Sequence, residues 1–166
     1  LIKINESEFI TDGNYLWEVK KVRGNIYGTF NTEENKAIPY SESTRKIISW
    51  LEKFKEQEIS IGYFGLDWNH VQTYFGSSLK IINCDKITNQ KFDIIISNHF
   101  FNPDTTSEEL VSSLSSLNDN LFNFGELILN ENQNIYENIL PFIINTKVIS
   151  YEKLTDSFFI RTIKDR

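Results

Sequence analysis

The chain has 166 residues, the length of one ordinary domain with one hydrophobic core. Hydrophobic residues make up 40% of it and aromatic residues 14%, as in folded proteins, so the composition excludes a disordered chain. The net charge is −6, which argues against a protein that grips nucleic-acid phosphates by itself through a broad basic surface. We therefore expect a single domain over residues 1–166.

Cysteine content and hydropathy predict a cytoplasmic or nuclear protein without a membrane anchor. The one cysteine, Cys84, has no partner for an internal disulfide, and no apolar run approaches the ~20 residues that span a membrane. No basic and apolar signal peptide opens the chain, so we predict that the protein is not secreted. Two histidines and one cysteine at these spacings make no metal signature, and we predict no metal.

Residues 1–40 predict an N-terminal β-hairpin extension, and residues 41–166 predict an α/β core. Apolar and polar residues alternate over 14–31 around a Gly24-Asn25 turn, which is the pattern of a half-buried hairpin. Residues 31–39 are polar and predict a loop.

The core alternates helices and strands. Apolar residues at helical spacing behind Ser, Thr or Asp caps indicate the helices, and short apolar runs indicate the strands. The predicted elements are, in chain order, a helix from Ser41 or Ser43 to about Glu56, a strand over 59–65, a helix over 67–75, a strand over 79–85, a strand within 91–103, a helix from Thr106 or Ser107 to about Leu117, a strand over 125–129, a helix over 135–144, and strands at about 147–152 and 157–164.

Three local signals refine this reading of the core. Asp67 is expected to be the N-cap of the second helix. Pro141 lies inside the last helix, so that helix should kink or start anew there. The link Thr155-Asp156-Ser157 is so short that the last two strands should be antiparallel neighbours.

The run over 91–103 organises the core. Phe92 and the three isoleucines 94–96 are apolar without alternation, which indicates a strand buried in a parallel sheet. Asn98 and His99 follow at the carboxyl end of that strand, where open α/β sheets bind their ligands. The element order as a whole predicts a doubly wound, mostly parallel, Rossmann-like α/β sheet with a C-terminal antiparallel strand pair.

Over about residues 57 to 166 this order resembles a class I S-adenosylmethionine-dependent methyltransferase. In that family the first glycine turn lies under the methionine part of the cofactor, and the acid that ends the second strand bonds the ribose hydroxyls. The fourth strand ends in the loop that performs catalysis or reads the substrate. By resemblance these places fall on Gly62 and Gly65, on Asp85, and on 98–101, and the implied cofactor is S-adenosylmethionine.

The chain departs from the family pattern at three places. Phe64 and Leu66 stand where the glycine rhythm of the family has small residues, so their bulk should obstruct the cofactor. The segment between Asp85 and Lys91 is too short for the helix and third strand of typical members. The 98–101 loop resembles the Asn/Asp-Pro-Pro-aromatic loop of amino-methylating enzymes without its prolines.

That loop implies roles for its residues. In the amino-methylating enzymes the polar residue and a proline carbonyl hold the target amine, and the aromatic ring stacks on it. The resemblance therefore implies catalytic roles for Asn98 and His99 and substrate contacts for Phe100 and Phe101.

Two narrower resemblances point to different chemistry. Cys84-Asp85 followed by Lys91-Phe92-Asp93 resembles the adenine-N6 methyltransferases of messenger RNA and DNA, which often pair an active subunit with a degenerate one. That group has a long loop between its last two strands, whereas this chain turns tightly. The hairpin followed by a helix is similar to spermidine synthases, but their acidic substrate-site pattern is missing.

Each candidate residue also has a structural interpretation. His99, with an unperturbed pKa of about 6.5, could be a general base or contact a bound base or amine, or it could cap neighbouring backbone. Asp85 could bind ribose or form a turn after its strand. Phe100 and Phe101 could stack on a base or pack in the core.

The remaining signals favour structural roles. His70 lies on a predicted helix and is expected to pack or to be solvated. Cys84 is expected to be a small buried hydrophobic residue, since Asp85 beside it discourages a thiolate. The basic clusters are expected to be solvated faces unless they contact nucleic acid, and they comprise Lys20, Lys21 and Arg23, and Arg161, Lys164 and Arg166.

The leading interpretation is a methyltransferase-like domain with an eroded cofactor site that acts as a non-catalytic partner or binding subunit. Its expected partner is a protein or a second copy of the chain, with nucleic acid reached through that partner. One rival is an active, divergent methyltransferase in which Asp85 holds ribose while Asn98 and His99 orient an amine or hydroxyl of a nucleic acid or small molecule. The cofactor is then S-adenosylmethionine; in the leading interpretation there is none.

A third interpretation is a protein-interaction module that docks a partner through its aromatic hairpin, bearing Tyr15, Trp17 and Tyr27. Aromatic residues are enriched in interface cores, and the edge of a hairpin can be extended by a partner strand. The sequence leaves open whether the domain is an enzyme.

Overall fold

A computed structural model describes residues 40–85 and 90–164 in full and, of residues 1–39, the backbone of five strands. Contacts between Cα atoms divide the chain into two compact units. The first unit comprises Leu1–Glu58 with Asp67–Lys80, and the second comprises Ile59–Leu66 with Ile81–Arg166. The predicted single domain with a 1–40 extension stays a prediction.

The first unit contains an antiparallel sheet with the strand order β1-β2-β3-β4-β5. The predicted hairpin is the β3–β4 pair, in which Val22 lies opposite Asn25, while Gly24 of the predicted turn lies outside the described residues. The predicted loop over 31–39 is wrong for its last residues, because they pair with β4 as a fifth strand. The strands are β1 (Ile2–Ile4), β2 (Ser7–Asp12), β3 (Tyr15–Val22), β4 (Asn25–Asn31) and β5 (Lys36–Pro39).

Two helices, α1 (Glu42–Leu51) and α2 (Trp68–Phe75), complete the first unit. Ser41 caps α1, as predicted, by accepting a hydrogen bond from the Thr44 backbone N–H at 3.2 Å. The helix ends earlier than expected, since its last turn tightens into a 3₁₀ helix over Glu52–Phe54.

Asp67 occupies the predicted N-cap position of α2 but caps no N–H group. It has a left-handed backbone with φ 68°, and its carboxylate instead accepts a hydrogen bond from the Thr44 hydroxyl at 2.8 Å. The negative charge thereby lies at the first turn of α1, where the helix dipole favours it. The predicted N-cap position of Asp67 is confirmed, and its side chain bonds a residue that is distant in sequence.

The second unit is built on a six-stranded sheet with the order β10-β11-β9-β8-β6-β7. The four strands β6 to β9 run parallel, and β11 joins β9 and β10 by antiparallel pairing. The predicted Rossmann-like sheet with its C-terminal antiparallel pair is confirmed. The strands are β6 (Ile61–Gly65), β7 (Ile81–Cys84), β8 (Phe92–Asn98), β9 (Leu121–Asn132), β10 (Lys147–Lys153) and β11 (Ser157–Ile163).

Helices α3 (Ser107–Asp119) and α4 (Tyr136–Ile144) follow β8 and β9. Thr106 caps α3 by accepting a hydrogen bond from the Glu109 N–H at 3.3 Å, as expected. Their apolar sides join one face of the sheet in a buried core that includes Leu110, Leu114, Leu117, Ile139, Phe64, Ile95, Leu127, Leu129 and Phe158.

Two predicted details of the second unit differ from the structure. The strand expected over 125–129 spans Leu121–Asn132, and its pairing with β8 shifts register so that β9 holds three extra residues between Leu121 and Glu126. The helix does not start anew at Pro141, because α4 is one helix from Tyr136 to Ile144 with the proline inside, and the predicted kink stays a prediction. A proline there removes one backbone donor, and packing of the apolar side retains the helix.

Candidate functional site

The carboxyl ends of β6, β8 and β9 lie side by side in the second unit. In the register of these parallel strands, Gly65 pairs with Asn98, which in turn pairs with Asn130. Phe64 likewise pairs with Ser97 on β8. The structure therefore brings the predicted glycine turn and the predicted 98–101 loop together at one edge of the sheet, where α/β proteins bind ligands.

At both predicted cofactor glycines, the protein itself occupies the position that a Cβ atom would take. Gly62 lies within β6, where a Cβ atom would come within 2.8 Å of the Phe92 ring. Gly65 has φ +117°, and a Cβ atom there would overlap the Asn98 carbonyl oxygen. Leu66 then donates its backbone N–H to that same oxygen at 2.9 Å. Each glycine permits close packing inside the unit.

Phe64 and Leu66 differ in their surroundings. Phe64 is fully buried in the core of the second unit, and its ring meets the Phe100 ring edge-on with centroids 5.4 Å apart. Leu66 is 59% exposed just beyond the end of β6. Of the two residues expected to obstruct a cofactor, one belongs to the core and the other extends to the surface.

Asn98 is 1% exposed, and its orientation is set by hydrogen bonds. Its side-chain amide nitrogen donates to the Tyr63 hydroxyl at 2.9 Å and to the Leu66 carbonyl at 3.1 Å, and Tyr63 itself donates to that carbonyl at 2.6 Å. Because a carbonyl only accepts, the NH₂ group of Asn98 must face it. The amide oxygen points elsewhere and is buried without a hydrogen-bond partner.

His99, Phe100 and Phe101 form a turn over the end of β9, which we call the 99–101 segment. His99 has a left-handed backbone with φ 48°, and its N–H donates to the Asn130 carbonyl at 2.8 Å. Phe100 and Phe101 are half-buried, and their rings meet edge-on at 5.1 Å. The catalytic and substrate roles predicted for these residues stay predictions.

Glu131, at the end of β9, is the residue that the sequence reasoning missed. It is 1% exposed, and its carboxylate accepts hydrogen bonds from the Ser97 hydroxyl at 2.7 Å, the Phe100 N–H at 3.0 Å and the Phe101 N–H at 3.2 Å. Burial raises the pKa of Glu131 from 4.5 to about 7, although the three hydrogen bonds lower it. A signal was present, since Asn130-Glu131 follows an apolar strand just as Asp85 does.

Asp85 and Cys84 lie at the end of β7, the edge strand of the described sheet. Asp85 is exposed directly after the strand, a place from which it could accept bonds from a ligand or form a turn. Burial and the neighbouring Asp85 charge raise the pKa of the Cys84 thiol, with burial the larger cause. Cys84 is therefore buried and not a thiolate, as expected.

His70 belongs to the first unit. Its ring lies 5.6 Å from that of Tyr40, and its Nδ1 atom lies 3.9 Å from the Asp67 carboxylate. Among the fully described residues 40–85 and 90–164, no group of three His, Cys, Asp or Glu side chains is placed to hold a metal ion. None of the described helices is long and apolar enough to cross a membrane.

No protein-family model matches the sequence, and no curated protein matches it either. Solved structures do match, and they identify the fold as that of class I S-adenosylmethionine-dependent methyltransferases. The resemblance stated from the sequence is thereby confirmed at the level of the fold, while the adenine-N6 type stays a prediction.

Three of these structures illustrate the range of sequence identity, TM-score and coverage. A T. thermophilus 16S rRNA methyltransferase in complex with AdoMet and guanosine is 13% identical with a TM-score of 0.53, covering 89% of this chain and 50% of its own. Phosphoethanolamine N-methyltransferase 2 of Haemonchus contortus, in complex with S-adenosyl-L-methionine, is 14% identical with a TM-score of 0.52. The match covers 73% of this chain and 36% of that enzyme. The N-methyltransferase NodS of Bradyrhizobium japonicum is 9% identical with a TM-score of 0.51, and the match covers 75% of this chain and 97% of that protein.

At these identities the likeness shows the fold alone, and the chain spans only about a third of the Haemonchus enzyme. Asp85, exposed after β7, retains the chemistry of a ribose acceptor.

Proposed function

We propose that the second unit is a methyltransferase-fold domain that does not hold S-adenosylmethionine and acts as a binding partner in a methyltransferase complex. The observation that carries this proposal is the Asn98 backbone, which occupies the position that a Cβ atom of Gly65 would take at the end of β6. In a cofactor site, glycine serves to let backbone amides approach the ligand. Here the absence of a side chain makes room for close contacts within the protein.

Phe64 supports the same proposal. A ring that fills the end of β6 and packs against Phe100 contributes to the core of the domain. Removing it from the apolar environment to admit a cofactor would expose the apolar surface of the ring, which costs free energy. The ring therefore stabilises the fold in its buried position.

Exposed apolar side chains support the partner role. Val148 is 39% exposed, Ile149 44% and Tyr151 46%, and all three lie on β10, an edge strand of its described sheet. Large exposed apolar residues are typical of protein contacts when they cluster. The partner that we propose is a protein, and nucleic acid would be reached through it.

Differential scanning calorimetry with S-adenosylmethionine tests the cofactor part of the proposal. A ligand present at 100 times its dissociation constant stabilises a protein by about 2.7 kcal/mol. We expect no stabilisation of the wild-type chain and no difference from Asp85→Ala at any cofactor concentration. A stabilisation of the wild type that Asp85→Ala abolishes would refute the proposal.

Analytical ultracentrifugation tests the partner part. The purified chain should form a defined assembly, either with itself or with a protein recovered from its host. The partner role would be refuted if the chain stayed monomeric at every concentration and bound no methyltransferase subunit from its host.

A second candidate is an active, divergent methyltransferase, and the buried amide oxygen of Asn98 favours it. This oxygen is an acceptor without a partner at the end of β8, and an amine or hydroxyl donor could bind it. Labelled cofactor incubated with nucleic-acid, peptide and small-molecule acceptors distinguishes the two candidates. Activity that is lost in Asn98→Ala and in Asp85→Ala would establish the enzyme.

A further inference from the structure

A pocket of about 240 Å³ lies between the C-terminal turns of α3 and α4, both of which belong to the second unit. Asp119, the last residue of α3, comes just before β9, and Thr146, just after α4, comes directly before β10. The pocket therefore lies at the end of the sheet where these strands begin. It is separate from the candidate site, which lies at the opposite edge around Asn98.

Two helix ends and one carboxylate give this pocket a negative potential. Strands β8 and β9 are parallel, and β10 is parallel to β9 because both pair antiparallel with β11. Helices α3 and α4 cross between these parallel strands and therefore run in the same direction, so their C-terminal ends lie side by side. Each such end carries about half a negative charge, and neither helix has a basic residue in its last turn. Asp119 lines the pocket and adds a full negative charge.

The polar side chains of the lining present hydrogen-bond acceptors. Asn145 donates its amide nitrogen to the Pro141 carbonyl at 2.8 Å, so its amide oxygen is the polar atom turned away from that carbonyl. The Thr146 hydroxyl donates to the Ile143 carbonyl at 3.1 Å, which leaves the lone pairs of its oxygen. The Asp119 carboxylate only accepts. A ligand that complements these groups is a hydrogen-bond donor, and the negative potential favours a cation.

Apolar side chains form the rest of the wall. Val111, Pro141 and Phe142 line the pocket, and Phe142 is buried in the core of the second unit. An organic cation can rest its apolar part on these side chains while its charged group faces the acceptors. A metal ion needs several converging ligands, and among the fully described residues no three His, Cys, Asp or Glu side chains are placed to hold one. The lining therefore fits an amine better than a metal ion.

Two lysines flank the pocket without lining it. The Lys164 ammonium group donates to the Leu121 carbonyl at 3.0 Å and to the Asp119 carbonyl at 3.5 Å, so an ammonium group already binds backbone acceptors just beyond the end of α3. Lys147 follows Thr146 and is exposed. No positively charged residue is among the described residues that line the pocket itself. The charges of the two lysines oppose a further cation, so we expect modest affinity.

We propose that this pocket binds a small organic amine in its ammonium form. The ammonium group lies against the Asp119 carboxylate and the Asn145 amide oxygen, and the apolar part lies on Val111, Pro141 and Phe142. The site does not depend on whether the opposite edge of the sheet holds a cofactor.

An NMR titration of the full 166-residue chain with benzylammonium at low ionic strength tests the site. Benzyl alcohol is a neutral probe of the same size, and benzoate is an anionic one. We expect benzylammonium to give saturable shifts confined to the amides around Asp119 and Asn145, with a dissociation constant at least about threefold below that of benzyl alcohol, since exposed charge pairs contribute modestly. Benzoate should give no saturable shift there. Equal binding of the alcohol, or no saturable shift with benzylammonium at tens of millimolar, would overturn the proposal.

Two pairs of variants locate the binding. Asp119→Asn should weaken benzylammonium binding about threefold to fivefold, whereas Glu108→Gln, which removes a charge from the first turn of the same helix, should leave it unchanged. Ser115→Phe places a ring in the lining and should abolish the shifts, while Ser112→Phe, on the same helix but outside the lining, should retain them. The amide spectrum of each variant reports whether it is folded. Wild-type affinity in Asp119→Asn, or in a folded Ser115→Phe, would refute a site between α3 and α4.

Discussion

The two halves of the carboxyl edge use their buried residues in opposite ways. At the end of β6, the Asn98 carbonyl group occupies the position that a Cβ atom of Gly65 would take, and earlier in the strand the Phe92 ring does the same at Gly62. At the ends of β8 and β9, the buried Asn98 side chain donates to the Leu66 carbonyl, and the buried Glu131 side chain accepts the N–H groups of Phe100 and Phe101. The first half behaves as core, and the second half behaves as a polar network.

This difference predicts how costly a substitution is in each half. In a packed core, the cost of a substitution follows volume and backbone geometry. In a buried polar network, it follows the number of donors or acceptors left without a partner and the charge of each group. The predictions below compare the two halves by these two measures.

The largest effect should come from Phe64→Ala. The ring is fully buried among core residues, and removal of a buried Phe leaves a cavity that costs about 3–5 kcal/mol. Urea denaturation measures the free energy of unfolding, and Phe64→Leu, which retains most of the volume, should cost much less. A small loss for Phe64→Ala would mean that the ring occupies ligand space, and the contrast between the two halves would fail.

Gly65→Ala should follow closely. A Cβ atom would overlap the Asn98 carbonyl oxygen, and φ +117° is a conformation that side chains rarely adopt, so we expect a loss of about 3 kcal/mol or more. Gly62→Ala is the matched control. Its Cβ atom would meet the side chain of Phe92, which can shift, so the loss should be smaller by chemical denaturation.

The pH dependence of stability should carry the signature of Glu131. Its folded pKa is raised from 4.5 to about 7, so its contribution to stability is fully present below 4.5 and is lost as pH rises through 7. Relative to Glu131→Gln, which does not ionise, the wild type should lose on the order of 3 kcal/mol over that range. Denaturation midpoints of both proteins across the range measure this, and parallel curves would show that the carboxyl group is not buried as described.

The smallest effect should come from the opposite end of β8. Asp93 accepts the Ser60 backbone N–H at 2.9 Å and the Ser60 hydroxyl at 3.1 Å, both on the same oxygen. Asp93→Ala should cost about 1–2 kcal/mol in thermal or chemical denaturation. Asp93→Asn can place its amide oxygen at the same position and should recover most of that loss; equal losses in both variants would show that the charge, not the acceptor, matters.

The sequence alone determined the order of elements in the second unit and most of their bounds. The apolar residues Phe92 and Ile94–Ile96 specified a buried parallel strand, and the short link at Thr155–Ser157 specified an antiparallel pair. These features are local, because periodicity, caps and connection length act over a few residues. In the first unit the sequence predicted only the hairpin and not the five-stranded sheet. The pairing of β5 with β4 depends on which strand lies beside it and not on a local sequence pattern.

Only the tertiary structure decided what the candidate residues contact. Nothing in the spacing of Gly62 and Gly65 distinguishes a glycine that admits a ligand from one that admits Phe92 or the Asn98 backbone. Glu131 acquires its raised pKa from burial, which outweighs the opposing effect of the N–H groups about thirty residues earlier in the chain. Such properties arise from which surfaces meet in the folded chain, and the physical reason is that desolvation and packing depend on all neighbours at once.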